Sequence, residues 1–106
     1  MTTSRTSLTT KASLEQMIIN TIMRHARPKR IILFGSRARE DAQERSDYDI
    51  ALDDEQMTRT ALAHLRAEIE ELPTLLHIDV VWLNRAATAL RERILSEGKI
   101  LYEQQS

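Results

Sequence analysis

Cysteine is absent from this 106-residue chain, which excludes disulfides, thiolate metal sites and a cysteine nucleophile, and allows a reducing compartment. No apolar stretch approaches the ~20 residues that a bilayer-spanning helix needs. No signal-peptide core follows Met1, so the expectation is a cytoplasmic protein with no membrane contact. An excess of one charge is also lacking. Fifteen basic against 16 acidic side chains leave a net charge of -1, so there is no overall basic field and no direct nucleic-acid binding is expected. Glycine and proline number only two each, so every one of them is informative about the backbone.

The residues that are present, 42% hydrophobic and 29% charged, suit a globular protein. The length suits one core and leaves no room for a second, so an activity that depends on a partner must draw on another chain. Residues 1–12, rich in Ser and Thr and without apolar periodicity, read as a loose tail, and 13–106 as the folded domain. Leu14, Met17, Ile18 and Ile22 recur at helical spacing behind a capping pair, Ser13 and Gln16, until Pro28 stops the pattern.

Arg30 to Phe34 is a short buried strand ending at Gly35, and Ser36 to about Ala42 a short helix. From Asp47 to Asp53 the pattern alternates strictly, with Asp47, Asp49, Ala51 and Asp53 on one face and Tyr48, Ile50 and Leu52 on the other. A helical stripe from Met57 to Leu72 ends at Pro73. Leu75 to Leu83 is the most apolar segment and reads as a central strand. Asn84 can cap a last helix that stops at Gly98, and Ile100 to Tyr102 adds a final strand. The order implies an α+β fold, a small mixed sheet with helices mainly on one face.

The candidate chemistry lies at the strand ends. Gly35, between a strand and a helix start, would let a phosphate approach free backbone N–H groups, and Ser36 could add a hydroxyl donor. A plain Gly-Ser turn explains the pair as well when it is taken alone. Asp47 and Asp49 point the same way and are close enough to share a hard cation, although a solvated acidic strand end has even standing. Asp53, two pleats further on, is left out of the site. Asp79 is the one acid in the apolar run from Leu75 to Leu83. A carboxylate buried there would need a cation, a polar cleft or an arginine partner. If its face adjoins that of Asp47 and Asp49, three carboxylates meet as a two-metal phosphoryl-transfer centre requires. Arg37 and Arg39 follow Ser36 closely enough to reach phosphates, while His77 is more simply a strand residue than a ligand.

The run Gly35-Ser36-Arg37-Ala38-Arg39, with ten residues between Ser36 and Asp47, and then Asp47-Tyr48-Asp49-Ile50 resemble the signature of the minimal nucleotidyltransferases of the DNA polymerase β superfamily. The Asp79 strand and Gly98-Lys99-Ile100-Leu101-Tyr102 are similar to that family too, so the likeness covers about Leu14 to Tyr102. It implies a polymerase β-like core with Gly35, Ser36, Arg37 and Arg39 on the triphosphate of ATP. Asp47, Asp49 and Asp79 would hold two Mg2+ ions, with Asp79 as candidate base. It further implies an antitoxin in a hetero-oligomeric complex with a HEPN toxin, to whose hydroxyl, on a tyrosine in some relatives, AMP is transferred. Relatives often read Gly-Asp where this chain has Glu40-Asp41, a departure that bears on loop geometry and rate. It keeps two alternatives in view: an antitoxin that neutralises by contact alone, and nucleotidyl transfer to a small molecule.

Overall fold

In the computed structural model, which describes residues 11–39 and 47–105, the apolar periodicities become α1 (Lys11–His25), β1 (Arg30–Phe34), α2 (Ser36–Arg39), β2 (Tyr48–Asp53), α3 (Arg59–Ile69), β3 (Ile78–Trp82), α4 (Thr88–Glu97) and β4 (Lys99–Glu103). A turn of 3₁₀ helix, Leu83–Arg85, joins β3 to the segment before α4. The strands lie in the order β3-β2-β1-β4. β1 runs antiparallel to both β2 and β4, whereas β2 and β3 are parallel and α3 makes the crossover between them.

One face of this sheet carries the main core. Leu14, Ile18 and Ile22 repeat every four residues along α1 and are at most 2% exposed. Leu62, Leu65 and Ile69 form the matching stripe of α3. Both helices pack on Ile31, Leu33, Tyr48, Ile50, Leu52 and Val80. Each large aliphatic side chain buried in this way contributes roughly 1.5–3 kcal/mol. Thr58 caps α3, its hydroxyl accepting the Ala61 N–H at 3.0 Å. Arg24 and His25 at the end of α1 both reach Glu68 of α3, which ties the two helices together at the surface. On the opposite face, Ile32, Phe34 and Ala51 form a smaller cluster with Leu83 of the 3₁₀ turn and Ile94 of α4. That face also presents the acidic residues.

The mixed α+β architecture and the order of elements follow the sequence pattern, with four local differences. α1 is already running at Lys11, so Ser13 lies inside the helix and is not its cap. The third strand is confined to Ile78–Trp82, and Leu75 is fully exposed. That strand is at the sheet edge and not in the centre. Asn84 does not cap α4, whose N-cap position is Ala87. Its amide donates to Asp53 at 3.2 Å and accepts the Asp54 N–H at 2.9 Å, a bridge that fixes it one loop short of the helix.

Gly98 does end α4, but with φ -74 it needs no left-handed backbone. Crowding is its reason, because an added Cβ would collide with Ile32 and with the Ile94 carbonyl. The first ten residues of the expected tail, the short helix beyond Arg39 and the Glu40-Asp41 departure lie outside the described residues.

Candidate active site

Alternation along β2 turns Asp49 away from the core face that Tyr48 and Ile50 occupy. The parallel register then sets Asp49 opposite Asp79 on β3, so the two carboxylates are nearest neighbours on one face. On the other side of β2 the antiparallel register pairs Asp49 with Phe34. The next residue, Gly35, is therefore delivered to the Asp49 carboxylate. Its φ of +77 suits glycine, and a Cβ there would run into Asp49 Oδ2. Glycine is thus required twice over, by backbone angle and by close approach. The Gly35 carbonyl accepts the N–H groups of Ala38 and Arg39 at 3.1 and 3.2 Å, which starts α2. Ser36 and Arg37 open that turn, where backbone N–H groups have no carbonyl behind them within the helix.

Asp49 is half-buried, and burial is the main force pushing its carboxyl above the ordinary carboxylate range. The negative charges of Asp79 and then Asp47 push it further, against smaller pulls from His77 and Arg39. Both of the other expected acids therefore act on Asp49. Asp79 reaches the group by strand register and not through burial. It is exposed on the edge strand, which corrects the expectation of a carboxylate sunk in a central strand. Among the described residues no three ligand-type side chains form a ready-made metal cage. The donor set nonetheless suits a hard divalent cation, consisting of neighbouring carboxylates whose mutual repulsion a cation would relieve.

The two arginines part company. Arg39 lies 3.5 Å from Glu97 of α4, and its charge is felt at Asp49. Arg37 turns to the other face of β2, where its guanidinium stacks on the Tyr48 ring at 4.3 Å. Burial, reinforced by Glu15, raises the Tyr48 hydroxyl pKa, and Arg37 opposes that shift. Arg37 is therefore not brought to the carboxylates. His77, set aside in the sequence reading, has its side-chain charge close enough to affect Asp49. The alternation of β3, which puts His77 on the face of Asp79, was the available signal.

Asp53 is held in a structural bridge. Arg30 Nε and Nη2 donate to its Oδ2 at 3.0 and 2.8 Å, and Asn84 serves the other oxygen. Arg30→Ala should cost about 1–3 kcal/mol in a urea melt, because it strips a mostly buried carboxylate of its charged partner. It should leave the Asp49 and Asp79 site intact.

The four-stranded mixed sheet is of the polymerase β-like nucleotidyltransferase type, and the glycine turn pressed on a strand aspartate, with a second aspartate beside it, is its candidate site. The family model for "Polymerase beta, Nucleotidyltransferase" matches residues 16–106, and the chain belongs to that nucleotidyltransferase family. Among similar solved structures, one described as a candidate minimal nucleotidyltransferase is 31% identical, with a TM-score of 0.68, 92% of this chain covered and 98% of that one. A toxin-antitoxin structure with AMP-PNP is 27% identical, with a TM-score of 0.72 and coverage of 86% and 74%. A third, tri-AMPylated Shewanella oneidensis HEPN toxin in complex with MNT antitoxin, is 24% identical, with a TM-score of 0.71 and coverage of 90% and 74%; that likeness carries the fold alone. No curated protein sequence matches the chain significantly. No helix among the described residues is long and apolar enough to cross a membrane.

Proposed function

We propose that this chain is a Mg2+-dependent transferase that moves AMP from ATP to a hydroxyl, most simply that of a tyrosine, on a partner HEPN toxin, and so acts as an antitoxin. The observation that supports it best is the register of Asp49 with Asp79, with Gly35 pressed against the Asp49 carboxylate. The solved toxin-antitoxin relative with AMP-PNP makes ATP the expected donor.

Asp47, Asp49 and Asp79 would hold two Mg2+ ions, which when bound supply neutralisation of the triphosphate and of the charge that develops on its leaving group. Gly35 leaves room for the triphosphate to approach the backbone, and Ser36 and Arg39 offer a hydroxyl and a positive charge to it. Arg37 holds α2 against Tyr48. Asp79, open to solvent on the edge strand, accepts the proton of the acceptor hydroxyl. The hydroxyl oxygen forms the new bond to the α-phosphorus, the bond between the α- and β-phosphates breaks in line, and pyrophosphate leaves.

The test is incubation with the protein encoded next to this gene, labelled ATP and Mg2+. Label should pass to the neighbour and should vanish with Asp47→Ala. Absence of label with every nucleotide tried would reject the reading. If Asp47→Ala still protected cells from the toxin in full, neutralisation by contact alone would replace it.

A further inference from the structure

We infer that the cleft beyond Asp79, on the open edge of the sheet, docks an acidic segment of the acceptor protein through Arg59, Arg66 and Arg85; the inference rests on the transfer reading above. The cleft has a volume of about 490 Å³, and these three arginines line it together with Asp79 and Trp82.

The first argument is charge. Arg24, Arg30 and Arg39 are each matched to an acid, namely Glu68, Asp53 and Glu97. Among the described residues none of Arg59, Arg66 and Arg85 forms a salt bridge. Three guanidinium groups without a salt bridge among the described residues, around a cleft whose one acid is Asp79, leave a local excess of positive charge in a chain of net charge -1.

The second is position. Along β3-β2-β1, Gly35 adjoins Asp49 from the β1 side and Asp79 adjoins it from the β3 side. The triphosphate side and the cleft are thus on opposite sides of Asp49. What enters the cleft comes with the acceptor and not with ATP.

The third is the type of recognition. Arg66 donates from Nε and Nη2 to the Val80 carbonyl at 3.2 and 2.6 Å, which holds its guanidinium at the rim and occupies an edge carbonyl. Strand addition is opposed there, and side-chain recognition is left. Arg85 lies 5.1 Å from the centroid of the Trp82 ring, whose Nε1 is anchored on the Asp54 carbonyl at 3.0 Å. Arg85 takes up the Trp82 face that a nucleobase would need for stacking. Carboxylate side chains fit planar, partly fixed guanidinium groups well.

Binding should be measured without nucleotide or metal, by anisotropy of labelled peptides of one length. Each carries a central Phe, flanked by Glu, by neutral residues or by Lys, and a single-stranded RNA serves as a further probe. The acidic peptide should bind about 10-fold tighter than the neutral one, and Arg59→Glu and Arg85→Glu should each weaken it about 5-fold. With Tyr at the centre and MgATP present, the same variants should raise KM for the acidic peptide and leave kcat and the KM for ATP unchanged.

Equal affinity for acidic and neutral peptides, tighter RNA binding, or indifference to both reversals would overturn the proposal. Acidic peptides that bind as expected but are never labelled would count against the transfer reading and leave the docking site standing.

Discussion

Asp49→Asn is expected to reduce AMP transfer by on the order of 10³-fold or more, since it removes a charge on which metal binding would depend. It is also expected to raise the melting temperature of the metal-free protein at neutral pH. The second effect is the unusual one. Burial, then Asp79 and Asp47, raise the Asp49 pKa in the folded state above its ordinary value. The folded protein therefore holds that proton more tightly than the unfolded chain does. Stability falls as pH climbs from the ordinary carboxylate range through the raised value. Asparagine has no charge to repel. Melts in chelator from acid to neutral pH should show the wild type losing ground to the variant over that interval. Added Mg2+ should stabilise the wild type and do little for Asp49→Asn. A variant that melts lower at every pH would mean that Asp49 holds the fold together through contacts that outweigh the repulsion.

Gly35→Ala should be nearly as damaging, for a steric reason. At φ +77 an alanine carries about 1–2 kcal/mol of backbone strain. Its methyl would also strike the Asp49 carboxylate. We expect a loss of about 2–3 kcal/mol in a urea melt and of about 100-fold or more in transfer, since small displacements of reacting groups are costly. The double variant Gly35→Ala, Asp49→Gly removes the carboxylate that is struck. It should recover part of the stability and none of the activity, which separates the clash from the backbone angle.

The fold was largely legible because its signals are local. Pro28 and Pro73 close two helical stripes, and the alternation from Asp47 to Asp53 puts Tyr48, Ile50 and Leu52 on the main core face and Ala51 on the other, as observed. The site was legible for a partly mistaken reason. Asp79 is an acid in an apolar run, a pattern that implies burial. That run is apolar because Ile78, Val80 and Trp82 face α1 and α3, and Val81 and Leu83 face α4, while Asp79 itself remains in water at the edge. An edge strand covered on both faces resembles a central one in composition.

Asn84 misled in a similar way, because it has the chemistry of a helix cap but spends it on Asp53 and Asp54. The three arginines of the edge cleft could not be read at all. They come from α3 and from the turn after β3, and only the crossover gathers them.

That crossover also orders events in time. Gly35 meets Asp49 through antiparallel pairing of neighbouring strands, whereas Asp79 reaches Asp49 only after α3 has formed and carried β3 back alongside β2. Parallel pairing across such a distance closes slowly. The pairing of Gly35 with Asp49 is therefore local in the chain, whereas the Asp49 and Asp79 pair is complete only once β3 is in place.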